Sequence, residues 1–248
     1  MSNSTNLKEI KNVTKAIARA VEVKNVIEGM PIAVHPFVDS TLWWSELHRN
    51  ENKKELNYVS LEKYDLTKKE IFDKWCKEFD SVVDSSKDVM GVYMLWRNPW
   101  KMTFIKFCGE YLSLKEYAEF LADAWITEEN PNMDANVSVE KAIKYFKKAE
   151  KKYLMTEEDY LYYENLPEKV EIYRGVSKGR VKMGLSWTDN KEKAIWFKNR
   201  FNEKNDGESV LLKAIVDKKD IIAYFNTRNE RELLVDVYSI KDKIEVIL

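Results

Sequence analysis

Three short clusters in the last third of the chain hold residue types that can do chemistry. The first is Tyr173-Arg174-Gly175. It closes the run Val170-Glu171-Ile172-Tyr173-Arg174, whose alternation sets Val170, Ile172 and Arg174 on one face of a strand. An arginine at the end of a core-facing row must meet an anion or bear a large desolvation cost. Gly175 has no Cβ, so a ligand can come close to its backbone. An internal Arg–Glu bridge, or an arginine reaching out of the strand end, would account for the same residues. The second cluster is Gly184-Leu185-Ser186-Trp187-Thr188. Here Leu185 and Trp187 share one face, and Ser186 and Thr188 the other. Two hydroxyls on one face can orient a sugar or a carboxylate, although an ordinary polar face behind a core tryptophan fits equally. The third is Asn229-Glu230-Arg231-Glu232, running into Leu233-Leu234-Val235. On a strand, Glu230 and Glu232 would point the same way and raise one another's pKa, an arrangement frequent at functional sites. A charged loop tip is the alternative.

These clusters need strands to position them. The hydrophobic period changes at Pro167 from 3.6 to 2. Beyond it, strands are expected at Lys169–Arg174, Met183–Thr188, Ser209–Asp217, Ile221–Phe225, Glu232–Tyr238 and Lys243–Leu248. One helix, Lys191–Phe201, interrupts them, capped by Asp189 or Asn190. The first two-thirds reads as helices. Leu7, Ile10, Val13, Ile17 and Val21 recur at helical spacing. Thr67-x-x-Glu70 and Ser113-x-x-Glu116 are capping boxes. Ser138 and Thr156 open two further helices. Between the boxes, Val92–Arg97 and Lys101–Phe107 flank Asn98-Pro99 and read as a hairpin.

Composition excludes several function classes. Of 248 residues, 44% are apolar and 33% charged, with a formal net charge of -1. A disordered chain would lack this apolar share, and a protein that coats DNA would be basic. Charge interrupts every apolar run before the ~18 residues of a membrane helix. Two cysteines, Cys76 and Cys108, make no disulfide framework and point to a reducing compartment. The N-terminus has no apolar segment of the signal-peptide kind, so a cytoplasmic location is expected. Two histidines, His35 and His48, leave zinc hydrolases and His-based triads poorly supported. Seven glycines form neither a GxGxxG nor a P-loop pattern.

Taken in order, Tyr173-Arg174-Gly175, Ser186-Trp187-Thr188 and Glu230-Arg231-Glu232 resemble the motifs of the arginine–serine–glutamate class of mono-ADP-ribosyltransferases. That class includes clostridial and cholera-type toxins and phage-encoded transferases. The helix Ala194-Ile195-Trp196-Phe197 and the stretch from Phe146 to Leu166 are also similar to the family's. The resemblance covers roughly residues 89–248 and departs from toxins at Trp187 and Thr188. Residues 1–88 match nothing in it and are read as a helical segment for packing, target recognition, or contact with an antitoxin or inhibitor.

The resemblance implies an α+β fold: a helical N-terminal part followed by a mixed, split β-sandwich that grips NAD, which is the substrate. It implies that Arg174 binds the NAD phosphates or nicotinamide ribose through its planar fork. A lysine there would then keep the fold but lose NAD affinity. Gly175 would offer its backbone to the carboxamide, and Ser186 would hold Glu232 and the ribose. Glu232 would stabilise the cation that forms as nicotinamide leaves, and Glu230 would orient or deprotonate the acceptor. Trp187, Thr188 and Phe197 belong to the expected NAD-binding set. Trp196 and Phe201 are further stacking candidates, each equally explained as core. No metal is implied. The implied partner is a macromolecular acceptor: protein arginine first, then RNA or DNA, which the lysines between Lys141 and Lys152 could touch if they are not simply a solvated face. The implied setting is a bacterial toxin or phage effector in the cytoplasm of the producing or infected cell, with no membrane partner. A catalytically inactive module on the same fold, and an NAD glycohydrolase, are the alternatives.

Overall fold

The computed structural model describes residues 4–19, 37, 68–134, 136–200 and 207–247. His35, His48, Trp43, Trp44, Thr67 and Phe201 lie outside them. The chain divides into two compact units, Met1–Ser113 and Leu114–Leu248. This division falls downstream of the boundary after residue 88 read from the sequence.

The first unit is helical. Helix α1 (Leu7–Arg19) buries Ile10, Thr14 and Ala18, a four-residue spacing that keeps one face inward. Helix α2 (Lys69–Ser85) buries Trp75, Cys76, Phe79 and Val83, which cluster with Ala18 of α1. Arg19–Asp80 and Lys15–Asp84 ion pairs flank that seam. Asp88 caps α3 (Val89–Tyr93), accepting from the Gly91 N–H at 2.8 Å. A 3-10 turn, Asn98–Trp100, then leads into α4 (Lys101–Cys108).

The expected hairpin at 92–107 is therefore a helical pair, and the correction has a physical reason. Val89, Val92, Tyr93, Trp96, Trp100, Phe104 and Cys108 are all buried. Up to Trp100 the buried positions follow the helical period, whereas Lys101–Ile105 is buried on every side, as in a helix packed all round. Aromatic and β-branched enrichment suggested strands, but the burial period decides, and Pro99 starts a helical turn instead of a hairpin. Both cysteines are free and buried. Burial pushes the Cys108 thiol up to about 12 and raises that of Cys76, so neither is a reactive thiolate.

The second unit is mixed α and β. Helices α5 (Leu114–Thr127), α6 (Val139–Lys148), α7 (Lys151–Leu154) and α8 (Glu157–Glu164) precede the sheet. Ser138 caps α6 and Thr156 caps α8, each accepting from the backbone N–H three residues on. Strands β1 (Lys169–Val176), β2 (Ser186–Thr188), β3 (Val210–Asp217), β4 (Ile221–Phe225), β5 (Glu232–Val235) and β6 (Glu245–Val246) form one sheet, in the order β4-β5-β2-β1-β3-β6. Every ladder among the described residues is antiparallel, where the resemblance implied a mixed sheet. Helix α9 (Lys191–Asn199) joins β2 to β3 across β1, with Asn190 as its cap.

Three strands are shorter than the sequence pattern suggests. β2 lacks Met183–Leu185, β5 ends at Val235, and β6 keeps only two residues. At Asp236 the carboxylate accepts from the Tyr238 and Ser239 N–H groups, a local turn that removes those donors from the ladder.

Aromatic contacts tie the helices to the sheet. Phe146 of α6 lies 5.2 Å from Trp125 of α5 and 6.5 Å from Phe225 of β4. Tyr162 of α8 stacks on Tyr224 of β4 at 4.2 Å. Helix α9 lies against β1 over Tyr173, Ala194 and Leu211. Gly175 allows that contact, because a Cβ there would overlap the Ala194 carbonyl oxygen and sit 2.5 Å from the Lys198 nitrogen. The absent side chain thus makes room for α9. Gly175→Ala is expected to destabilise the protein by about 3 kcal/mol or more, since the clash is with helix backbone. Urea unfolding, read by the shift in midpoint, checks this.

Candidate functional site

A cleft of about 830 Å³, mouth included, opens on the sheet of the second unit. Arg174, Gly175, Ser186, Trp187, Thr188, Phe197, Glu230 and Glu232 all line it. Strand pairing brings them together. Thr188 faces Glu232 and Ser186 faces Leu234 across the β2–β5 ladder, and Tyr173 faces Thr188 across β1–β2.

Glu232 sits at the first residue of β5 and is buried. Its carboxylate accepts from Trp125 Nε1 at 2.9 Å and from the Ser186 hydroxyl. Burial raises its pKa, and the Glu230 charge adds to the rise. The two hydrogen bonds and the charge of Arg228 oppose it. The result is a desolvated carboxylate fixed in orientation by two donors from elements far apart in the chain.

Arg174 is buried beside it, and burial lowers its pKa to about 10 against the opposing attraction of Glu232. Its Nε donates to the Lys182 carbonyl at 3.1 Å, Nη1 to Ser186 at 2.6 Å and Nη2 to Val181 at 2.7 Å. Three of the five guanidinium N–H groups are thus committed to backbone carbonyls. The segment between β1 and β2 stays a loop because its carbonyls turn inward to this cation. Gly184 is part of the arrangement, since a Cβ there would lie 2.5 Å from Arg174 Nη2 and 2.8 Å from Asn132 Oδ1. Asn132 itself accepts from Leu185 N at 2.8 Å and donates to Ser186 Oγ at 3.4 Å.

The remaining expected residues divide by role. Thr188 is buried and organises the backbone: its hydroxyl donates to the Glu230 carbonyl at 3.3 Å and accepts from Asn190 N at 3.1 Å. Trp187 is a core residue, with its Nε1 donating to the Gly184 carbonyl at 3.1 Å. Phe197 is half-buried at the cleft wall, whereas Trp196 is 52% exposed and does not line it.

Glu230 reaches the cleft by a route the alternation rule does not give. The strand starts only at Glu232, and Asn229 and Arg231 adopt positive φ of 53° and 50°. The two glutamates therefore converge through a tight turn and not by sharing a pleat. A left-handed arginine is unusual and costs conformational energy. Its fork holds it there: Nε and Nη2 bind the two oxygens of Asp189 at 2.7 Å each, and Nη2 reaches Tyr162 Oη at 2.7 Å. Tyr162 in turn donates to Asp189. The hydrogen bonds to Asp189 raise the Arg231 pKa further, so the clamp stays charged.

Sequence reasoning missed Trp125, Asn132, Gly184 and the Asp189–Tyr162–Arg231 clamp. It also missed the cleft residues Glu128, Glu129, Arg180 and Arg200, of which Arg180 and Arg200 both pair with Glu129. Trp125 stands 107 residues from Glu232, and no local pattern joins them. An Asn-Pro-Asn stretch after a helix was the one visible cue for Asn132.

The geometry reverses the expectation that a lysine at 174 would leave the fold intact. Arg174→Lys leaves at least two of the three carbonyls unpaired, at about 1–3 kcal/mol each. The variant is expected to lose about 2–4 kcal/mol of stability, measured by denaturant unfolding. Gly184→Ala should lower stability in the same direction by displacing the guanidinium.

Comparison with protein-family models, with curated proteins and with solved structures finds no match to this chain.

Proposed function

We propose that the chain is a mono-ADP-ribosyltransferase that cleaves NAD and transfers ADP-ribose to a macromolecular acceptor, with protein arginine the favoured class. The observation that carries this reading is the state of Glu232: a buried carboxylate, fixed by Ser186 and Trp125 at a cleft wall, with a second carboxylate, Glu230, beside it.

In this mechanism Glu232 accepts a hydrogen bond from the ribose 2′-OH and faces the anomeric carbon. It stabilises positive charge as the C1′–N bond breaks and nicotinamide leaves with the bonding pair. Its orientation is set beforehand by two donors, so little reorganisation accompanies the reaction. Burial strengthens its interaction with a developing cation. The hydrogen bonds from Ser186 and Trp125 favour its ionised form and oppose the rise that burial causes. Arg174 places the Ser186 backbone through the 2.6 Å bond to its carbonyl, and its remaining N–H groups suit a ribose or phosphate oxygen. Glu230 takes the proton from the acceptor nitrogen. Phe197 at the wall offers a face for the nicotinamide ring. The arginines of the cleft suit a dinucleotide that carries two phosphates. Among the described residues no helix is long and apolar enough to cross a membrane.

Nicotinamide release and ADP-ribose transfer, measured side by side with labelled NAD and a cell lysate, test the reading. Glu232→Gln should lower both activities on the order of 10²–10³-fold, as for loss of one preorganised electrostatic group. Glu230→Gln should reduce transfer while nicotinamide release continues, because water can still trap the cation. Absence of nicotinamide release by the unaltered protein would leave the inactive-module alternative. Release without any labelled acceptor would favour a glycohydrolase.

A further inference from the structure

Arg228 holds a position that an arginine acceptor would have to take. Its Nη2 lies 2.9 Å from Glu230 Oε2, a hydrogen-bonded ion pair at the cleft. The positive charge of Arg228 also stabilises the ionised form of Glu232, so the guanidinium is within electrostatic reach of both carboxylates. The other arginines of the cleft are held elsewhere. Arg174 is committed to three carbonyls, and Arg180 and Arg200 pair with Glu129. The Arg228 side chain is 43% exposed and comes from the short turn between β4 and β5. That turn is pinned by Asn226, whose carbonyl accepts from Asn229 N and whose side chain accepts from Arg231 N. A rigid turn of this length keeps the guanidinium at the cleft, a large advantage in effective concentration over any diffusing acceptor.

We propose that Arg228 is an internal acceptor: the protein transfers one ADP-ribose to its own Arg228, in cis. The proposal rests on the reading of the cleft as an ADP-ribosyltransferase site. In the step, the C1′–N bond of NAD breaks and nicotinamide leaves with the electron pair. Arg228 Nη2 forms the new bond to C1′, and the proton it sheds passes to the Glu230 carboxylate, 2.9 Å away. The modified side chain carries two phosphates beside Glu230 and Glu232, where like charge and bulk obstruct a second acceptor. Self-modification thus limits transfer to other molecules, and the reaction stops at one group per chain.

The full-length protein incubated with NAD alone tests this, with nicotinamide release and intact mass followed in one sample. Fragmentation that preserves the N-glycosidic bond locates the label. The expected result is one ADP-ribose per chain, on Arg228, with a first-order rate that does not change over a protein dilution series. Arg228→Lys should lose that label. Nicotinamide release with no label, or with label on another residue, overturns the proposal while sparing the enzymatic reading. A rate that scales with protein concentration overturns the cis route. No nicotinamide release removes the enzymatic reading and the proposal together. The mapping on the unaltered protein decides the matter even where the variant folds poorly.

Discussion

A buried guanidinium organises the second unit. Arg174 lies within β1 in a buried row with Val170, Ile172 and Val176, and it cannot stay in that environment without partners. Its partners are three carbonyls from the 181–186 segment and the field of Glu232. This one requirement explains several features at once. The segment before β2 remains irregular because its carbonyls face inward. Gly184 has no side chain because the guanidinium occupies the space. Ser186, whose carbonyl Arg174 holds, presents its hydroxyl to Glu232. The field of Glu232 favours the charged form of the buried guanidinium and offsets part of its desolvation cost.

The second constraint is the turn between β4 and β5. Two consecutive glutamates of a strand face would have been a simple arrangement. The chain instead uses two left-handed residues and an arginine clamp. The clamp joins α8, the end of β2 and the start of β5, through Tyr162, Asp189 and Arg231. Its cost in backbone strain is offset by a bidentate, charge-assisted pair. What it yields is a rigid support for Glu230 and Arg228 at one side of the cleft and for Glu232 inside it. A site whose side chains sit on clamped elements can keep its geometry while ligands come and go.

The first unit shows how similar composition serves a different end. Its aromatic residues recur at helical spacing and are consumed in packing: Tyr93, Trp96 and Phe104 stack edge-on within about 5–6 Å, as aromatic pairs prefer. Among the described residues no cluster of metal-binding side chains occurs, and the two thiols are buried. Its chemistry-bearing side chains are surface ion pairs such as Arg19–Asp80, which contribute modestly to stability.

By itself, the sequence determined the local structure and the candidates. The period change at Pro167, the Ser138 and Thr156 caps, and the strands containing Arg174, Thr188 and Glu232 are legible there, while the cap of α9 is narrowed to Asp189 or Asn190. Each is set by residues within a turn or two of one another. The eight residues named from the three motifs and from what the resemblance implies line one cleft. The tertiary structure decided everything that depends on contacts between distant segments. It made helices of Val89–Tyr93 and Lys101–Cys108, where packing on several sides outweighs strand propensity. It gave Gly175, Trp187 and Thr188 packing and backbone-bonding contacts in addition to their place at the cleft. It supplied Trp125 to Glu232 across 107 residues and drew Glu230 inward through a strained turn instead of a pleat. Period and capping are encoded in adjacent residues. Which carbonyls a buried arginine will claim, and which indole will reach a carboxylate, follows only once the sheet has paired.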